Sequence, residues 1–238
     1  MTTTIGIIGA MDIEIETLVD ALEDKEITEL YGYKFYSGHM ADKNIVILKC
    51  GVGKVNAARG TQLMIDRFAP DAIINTGIAG AIDPDLNIGD TVVATALVQH
   101  DFDVTAFGYA PGCICDRDNM DKPTAFAADP ELVSKLTIAA ESVMDGAVRE
   151  GIIATGDRFV SSEELKRKIY EIFHAAATEM EGAAIAQTAA YASVPFAVLR
   201  VMSDTADGKA PESYEQFELK AARESAEVAE AFINNYSR

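Results

Sequence analysis

The chain has 238 residues, a length that fits one α/β domain, and its 20 basic against 38 acidic residues give a net charge of −18. A surface this acidic repels nucleic-acid phosphates and anionic lipids, so we expect neither a nucleic acid nor a membrane as partner. Three cysteines without a disulfide pattern, no basic signal segment and no apolar run of about 18 residues predict a cytoplasmic protein.

Short apolar runs alternate with helical patterns along the chain. The predicted strands are Thr4–Gly9, Tyr31–Met40, Asn44–Cys50, Asp71–Thr76, Thr91–Gln99, Gly151–Thr155, Ala176–Met180 and Phe196–Met202. The predicted helices are Asp12–Leu22, one from the Gly51–Val55 turn to about Phe68, Glu131–Val143, one from about Ser162, Gly182–Ala192 and Ser213–Asn234. Residues 101–129 lack periodicity and predict a functional loop or an interface element. The alternation predicts a largely parallel sheet covered on both faces, and no repeat or linker divides residues 1–238, so we expect one domain.

Carboxylic acids follow three of the apolar runs. Glu14 comes after the first predicted strand, Glu179 and Glu181 lie at the end of Ala176–Met180 and just beyond it, and Asp204 follows the last strand. Ligands of parallel sheets bind outside the carboxyl ends of the strands, so we expect these acids to lie close together. Acids in such a place suit acid/base hydrolysis.

Each acid also has a structural interpretation. In a partly desolvated cleft Asp204 could hold a proton and donate it to a departing heterocycle nitrogen, or it could cap a helix or lie in a solvated loop. Glu179 and Glu181, two apart in an extended segment, would face the same side and could accept hydrogen bonds from sugar hydroxyls, or stabilise the dipole of the following helix. Glu14 could polarise water, or be one more acid in a first helical turn.

Other sequence motifs give little evidence of a ligand or a catalytic site. The Gly6–Ala10 segment lacks a G-x-G-x-x-G dinucleotide fingerprint, and the Gly51–Val55 segment is not a phosphate-binding P-loop. The C-x-C spacing of Cys113–Cys115, with His100 or Asp116 nearby in sequence, is a weak metal pattern. Three histidines yield no convincing Ser-His-Asp arrangement. We therefore expect neither a metal nor a cofactor.

Six segments, in one order along nearly the whole chain, together resemble a known family. They are Ile5–Met11 with Glu14, Gly51–Ala58, Asn75–Gly80, Asp103–Tyr109, Glu179–Ala183 and Arg200–Asp204. With these segments the chain resembles the 5′-methylthioadenosine/S-adenosylhomocysteine nucleosidases of the nucleoside phosphorylase/hydrolase superfamily. The resemblance implies a three-layer α/β/α sandwich with a mixed, largely parallel central sheet. It also implies a homodimer and irreversible hydrolysis of the adenine–ribose bond of a small adenine nucleoside.

The resemblance also implies roles for matching positions. Asp204, supported by Ser203, matches the general acid that protonates adenine N7. Glu14 matches the residue that activates water at the anomeric carbon, and Glu181 matches a binder of the ribose hydroxyls. The other matching positions are Met180, Glu179 and Arg200 near the ribose, Phe159 and Val160 at adenine, Val52 and Tyr214 (with Met180) at the 5′-alkylthio group, Ile78, Ala79 and Gly80 in the third segment, and Phe107, which the partner subunit would lend.

One residue and one stretch depart from the family pattern. The family usually has a serine where Ile78 stands, and that hydroxyl touches the attacking water. The side chain of Ile78 can make no such hydrogen bond, so this departure bears on the placement of the water and on the rate. The stretch from Cys113 to Lys122 is also unusual and bears on the rim of the pocket.

Two rival functions stay open. A phosphorylase of the same superfamily would bind phosphate through arginines and a hydroxyl, whereas here the N-terminal loop carries Asp12, Glu14 and Glu16. A non-catalytic adenine-nucleoside-binding protein would not need Glu14, Glu181 and Asp204 together. Among hydrolases, a preference for aminodeoxyfutalosine or deoxyadenosine is a further alternative.

Overall fold

A computed structural model describes residues 2–114 and 118–236. Its strands are β1 (Thr4–Gly9), β2 (Glu23–Leu30), β3 (Tyr33–Met40), β4 (Lys43–Lys49), β5 (Ala72–Asn75), β6 (Ile78–Ala81), β7 (Thr91–Gln99), β8 (Ala125–Ala127), β9 (Val148–Thr155), β10 (Ala175–Glu179) and β11 (Phe196–Asp204). Its helices are α1 (Asp12–Asp20), α2 (Lys54–Phe68), α3 (Pro130–Val143), α4 (Glu163–Phe173), α5 (Gly182–Tyr191) and α6 (Ala210–Asn235), with a short 3-10 turn at Thr105–Phe107.

The strands within the described residues form one sheet in the order β2-β3-β4-β1-β5-β11-β6-β10-β9-β7-β8. Six of their pairings are parallel and five are antiparallel, so the sheet is mixed. β11 pairs with β5 and β6 and also with β7, which curls the second half of the sheet. Helices α1, α3 and α6 pack together, as do α2 with α5, and the two groups cover the sheet. The predicted α/β/α sandwich is confirmed.

All eight strands predicted from sequence are present, with β1 and β7 at their predicted bounds. Three strands were not predicted. β2 is polar and mostly exposed because it is an edge strand, β6 follows β5 after only two residues, and β8 is three residues long within the 101–129 segment. Antiparallel pairings therefore outnumber those expected from the strand–helix alternation.

One large hydrophobic core draws on residues from Ile5 near the start to Ile233 near the end of the chain. This shared core supports the single domain expected for residues 1–238, which stays a prediction.

Among the described residues, no helix combines the length and the apolar character that crossing a bilayer requires.

The ends of three central strands determine where chemistry can occur. β1 is fully buried beyond its first residue, and β10 and β11 are buried throughout, as expected for strands covered on both faces. β1 runs directly into α1, β10 runs into α5, and β11 ends at Asp204. The residues after these strands therefore meet at one edge of the sheet.

Candidate active site

A cavity of about 470 Å³ opens at this edge. Its walls come from the ends of β1, β6, β10 and β11, from the turn before α2, from the loop after β9 and from the first turns of α6. The lining residues are Ala10, Met11, Glu14, Val52, Ile78, Ala79, Gly80, Phe159, Thr178, Glu179, Met180, Glu181, Ser203, Asp204, Pro211, Tyr214 and Glu215. The cavity is thus a mostly apolar slot with several buried carboxylic acids, which is the usual composition of a small-molecule site.

Glu14 is fixed at the cavity wall by backbone donors. Its Oε2 accepts hydrogen bonds from the backbone N–H groups of Ala10 (2.7 Å) and Met11 (3.0 Å), and its Oε1 accepts one from Ile78 (3.2 Å). Burial raises the pKa of Glu14. Arg200 and these backbone donors lower it, but by a smaller amount, so the pKa stays above its ordinary value. Glu14 therefore lies in the first turn of α1 and also faces the cavity, a position that is compatible with the predicted role in polarising water.

Asp204 ends β11 and is only 2% exposed. Its Oδ1 accepts a hydrogen bond from the Ala206 N–H (2.8 Å) and its Oδ2 accepts one from the Ser203 hydroxyl (3.0 Å). Burial raises the pKa of Asp204, and the two hydrogen bonds lower it by less. A carboxyl group that holds its proton longer than usual is suited to donate that proton to a bound ligand.

Glycine leaves room for these two carboxylates. A Cβ at Gly77, where φ is +155°, would lie 2.5 Å from Glu14 Oε1. A Cβ at Gly80 would lie 2.6 Å from Asp204 Oδ1. Either methyl group would force the carboxylate away from its present place.

Glu181 does not lie in an extended strand with Glu179, as the sequence interpretation assumed. β10 ends at Glu179, and Glu181 occupies the position before α5 with φ −131° and ψ −39°. Its Oε1 accepts a hydrogen bond of 2.7 Å from the Gly53 N–H. Burial, and then the neighbouring Glu179, raise the pKa of Glu181. Both glutamates nevertheless line the cavity.

Both carboxylate oxygens of Glu179 have hydrogen-bonding partners. Arg200 Nη2 lies 2.5 Å from its Oε2, the Thr155 hydroxyl donates to its Oε1, and the N–H groups of Glu181 (3.1 Å) and Gly182 (2.7 Å) donate to Oε2. Its carboxylate thus caps the start of α5, which is the structural role weighed from sequence.

Arg200 lies behind Glu179 and does not line the cavity. It is 2% exposed and also donates to Asn75 Oδ1 (2.6 Å) and to its own strand at Leu199 O (2.8 Å). Its effect on the site is electrostatic, since its charge lowers the pKa of Glu14 and of Glu181 against the effect of burial.

Aromatic and sulfur side chains close another side of the cavity. The rings of Phe159 and Tyr214 meet edge to face with centroids 5.7 Å apart. The Tyr214 hydroxyl donates to Met11 Sδ at 3.3 Å, which connects the start of α6 to the loop after β1. A flat apolar ligand could stack on an aromatic ring at this side of the cavity.

Comparison with known proteins identifies the family of the chain. The sequence profile of the Phosphorylase superfamily matches residues 4–234. A 5′-methylthioadenosine/S-adenosylhomocysteine nucleosidase of Anoxybacillus flavithermus is 41% identical, with 98% of this chain and 99% of the relative aligned. The crystal structure of the Neisseria meningitidis nucleosidase of that name, in complex with methylthio-immucillin-A, has a TM-score of 0.92 at 40% identity and covers 98% of this chain and 100% of its own.

The chain belongs to the 5′-methylthioadenosine/S-adenosylhomocysteine nucleosidase family. A futalosine hydrolase mutant of Helicobacter pylori is also similar, with a TM-score of 0.92 and 34% identity over 99% of this chain and 100% of its own.

Most positions matched to this nucleosidase family lie together. Twelve of them line the cavity: Glu14, Val52, Ile78, Ala79, Gly80, Phe159, Glu179, Met180, Glu181, Ser203, Asp204 and Tyr214. Three do not: Arg200 lies behind the wall, Val160 is buried in a neighbouring cluster, and Phe107 is 78% exposed on the 3-10 turn. Of the weak Cys113–Cys115 metal pattern, Cys115 and Asp116 lie outside the described residues.

Sequence reasoning missed five lining residues: Ala10, Met11, Thr178, Pro211 and Glu215. Two of them carried a signal, since Pro211 lies three residues before Tyr214 and four before Glu215, the spacings that bring helical side chains together. Ala10 and Met11 lie within the Ile5–Met11 segment that was used for the family resemblance, although no site role was predicted for them.

Replacing Ile78 by serine tests its place beside Glu14. The new hydroxyl could donate to or accept from a water at the cavity wall, so we expect Ile78→Ser to preserve kcat or raise it by up to about tenfold. Steady-state adenine release measures this, with Ile78→Ala as the apolar control that is close to serine in size. A large loss of kcat in the serine variant alone would mean that the pocket depends on the isoleucine.

Removing the Ser203 hydroxyl should shift the pH profile. That hydroxyl favours ionised Asp204, so in Ser203→Ala the pKa of Asp204 rises further and the acid stays protonated to higher pH. We expect the alkaline limb of kcat/KM to move up by about half a pH unit. Ser142→Ala, which removes a hydroxyl bonded to Ala139 O in α3, is the control. An alkaline limb that stays in place or moves down contradicts the prediction.

Proposed function

We propose that this chain hydrolyses the N-glycosidic bond of 5′-methylthioadenosine and S-adenosylhomocysteine, releasing adenine and the 5′-thioribose. The observation that carries the proposal is the convergence of Glu14, Glu181 and Asp204, far apart in sequence, on one buried cavity. Membership of the nucleosidase family supports it independently.

The proposed reaction divides the work between the two ends of the cavity. Asp204 donates its proton to adenine N7, so that adenine leaves as a neutral base when the C1′–N9 bond breaks. The ribose becomes oxocarbenium-like, and water attacks C1′ while Glu14 takes its proton. Buried carboxylates stabilise the positive charge of this transition state more strongly than they would in water.

Recognition of the rest of the substrate follows from the same walls. Glu181 would accept hydrogen bonds from the ribose hydroxyls, and Phe159 would stack on adenine. Val52, Met180 and Tyr214 would enclose the 5′-alkylthio group, and Met11 adds a further apolar contact. Such a slot discriminates by about 1–3 kcal/mol per methylene, so it admits different thioethers. The reaction needs water and no cofactor.

A phosphorolytic reaction is disfavoured by charge. The residues described as lining the cavity include no lysine or arginine, and Arg200 is already committed to Glu179 and Asn75. A phosphate dianion would approach Glu14, Glu179 and Glu181 without a compensating cation. The adenine-release assay should therefore be independent of phosphate.

The acid role of Asp204 is tested by Asp204→Asn. An amide of the same size cannot donate a carboxyl proton, so we expect kcat to fall by about 10²–10⁴-fold with the thermal unfolding midpoint nearly unchanged. Adenine release from 5′-methylthioadenosine and S-adenosylhomocysteine, with and without phosphate, is the measurement. Asp20→Asn, at an exposed end of α1, is the charge-matched control.

Near-normal turnover of Asp204→Asn would remove the acid role. Binding of the nucleosides without release by the unmodified chain would instead favour the non-catalytic alternative. A substrate panel that includes aminodeoxyfutalosine and deoxyadenosine decides between the hydrolase specificities.

We propose that the chain acts as a homodimer in the cytoplasm. The exposed Phe107 lies outside its own cavity, as a residue offered to a partner would. Val55 and Tyr191 are also exposed and line a groove between α2 and α5, an apolar surface that a second copy could cover. The cytoplasmic location rests on three cysteines without a disulfide pattern.

Subunit mixing tests the role of Phe107. If each site uses the partner's copy, Phe107→Ala and Asp204→Asn homodimers should both be poorly active. Co-expressed together they should recover about a quarter of the unmodified activity, because half of the dimers are mixed and each mixed dimer has one intact site. No recovery, with mixed dimers detected by mass spectrometry, would contradict a shared site.

A further inference from the structure

Lys166 of α4 contacts the loop that carries the proposed acid, although it does not line the cavity. Its Nζ donates a 2.7 Å hydrogen bond to the carbonyl oxygen of Thr205. Thr205 immediately follows Asp204, at the end of β11. A cation from a separate helix is therefore hydrogen-bonded to the backbone next to the acid.

The peptide group that Lys166 contacts is the one that reaches Asp204. The Thr205 carbonyl and the Ala206 N–H belong to one peptide unit, and this N–H donates to Asp204 Oδ1 at 2.8 Å. Because the unit is planar and trans, its C=O and N–H point in opposite directions and move together. A cation at the carbonyl end thus fixes the direction of the N–H and polarises it as a donor.

Packing holds the same peptide from another direction. Ala206 has φ +51°, a left-handed conformation that is unfavourable for a residue with a Cβ. Its side chain is fully buried in a small cluster with Val160, and with Ile169 and Leu165 of α4. An uncommon backbone conformation held in place by its surroundings is often part of a functional site.

We propose that Lys166 is a positioning residue for the general acid, acting on Asp204 through the Thr205–Ala206 peptide. The inference rests on the function proposed above. When Asp204 gives up its proton, the O–H bond breaks, its electron pair stays on the carboxylate and an N–H bond forms at adenine N7. The negative charge that develops on Oδ1 is then met by the Ala206 N–H, with the Lys166 charge behind it.

Several charges act on Asp204, and Lys166 is the cation among them. The groups whose interactions with Asp204 are resolved are the Ala206 N–H, the Ser203 hydroxyl, Asp207, Lys166 and Tyr214. Burial raises the pKa of Asp204 and Asp207 raises it further, whereas the two hydrogen bonds and Lys166 lower it. Asp207 itself accepts from the Thr205 hydroxyl (2.6 Å) and from the Lys209 N–H (2.7 Å), within the same loop. Loss of Lys166 should therefore make Asp204 a weaker acid.

The test compares Lys166→Met with Lys168→Met. Lys168 is exposed on the same helix, so its variant removes the same charge without touching the acid loop. For Lys166→Met we expect kcat to fall roughly fivefold with KM nearly unchanged. The alkaline limb of the pH profile should move up by about half a unit. Lys166→Arg should restore most of the kcat, because a guanidinium also donates to a carbonyl oxygen.

An NMR titration of the Asp204 side-chain carboxyl carbon gives a second readout that needs no turnover. Its titration midpoint should be higher in Lys166→Met than in Lys168→Met. Lys166→Gln, which keeps a donor and removes the charge, should lie between them. The titration also separates the two proposals, since absence of adenine release by the unmodified chain would refute the hydrolase alone.

Two results would overturn the role of Lys166. One is an equal kcat, alkaline limb and carboxyl titration in Lys166→Met and Lys168→Met. The other is a fall in kcat that tracks a lower unfolding temperature, with no shift in the Asp204 midpoint and no rescue by arginine. The second pattern would mean that Lys166 only stabilises α4.

Discussion

The ion pair between Arg200 and Glu179 is the interaction on which the site depends. Arg200 on β11 contacts Asn75 at the end of β5 and Glu179 at the end of β10, so it connects three parts of the sheet. Glu179 in turn accepts from the backbone that leads into α5, which places Glu181. Removing one partner would leave a buried charge uncompensated, at a cost of about 3–5 kcal/mol. Arg200 therefore supports, from behind the cavity wall, the carboxylate of Glu179 that lines it.

The acids beyond this pair have different surroundings and therefore different proton affinities. Glu14, Glu181 and Asp204 are all buried, and burial is the largest cause that raises each pKa. Glu14 has three backbone donors and the field of Arg200, which favour its charged form as a base. Asp204 has a peptide N–H and a hydroxyl and is not among the partners of Arg200. One sheet edge can thus present a base and an acid together.

Much of the architecture could be predicted because the central strands are buried and their apolar runs are distinctive. The positions of Glu14 and Asp204 followed from their place after such strands. The failures have local causes. β2 is an edge strand with mostly exposed, polar side chains, so it lacks the apolar run that marks the other strands. β6 has only four residues and begins just after Gly77, so it is too short to stand out in the sequence. The turn at Glu181 depends on Gly53, 128 positions away, and no local pattern contains that contact. The loop contact of Lys166 is equally non-local.

The pairing of β11 has a consequence for how the protein is made. This strand pairs with residues 73–75, 78–80 and 91–93, all synthesised more than a hundred positions earlier. Contacts of such large sequence separation form late, after much loop entropy has been lost. While the ribosome is still translating the segment before Phe196, the nascent chain lacks the central strand and Asp204 with it. Until then β5 and β6 each lack a partner on the side that β11 later occupies, and unpaired strand edges of this kind can pair with other chains.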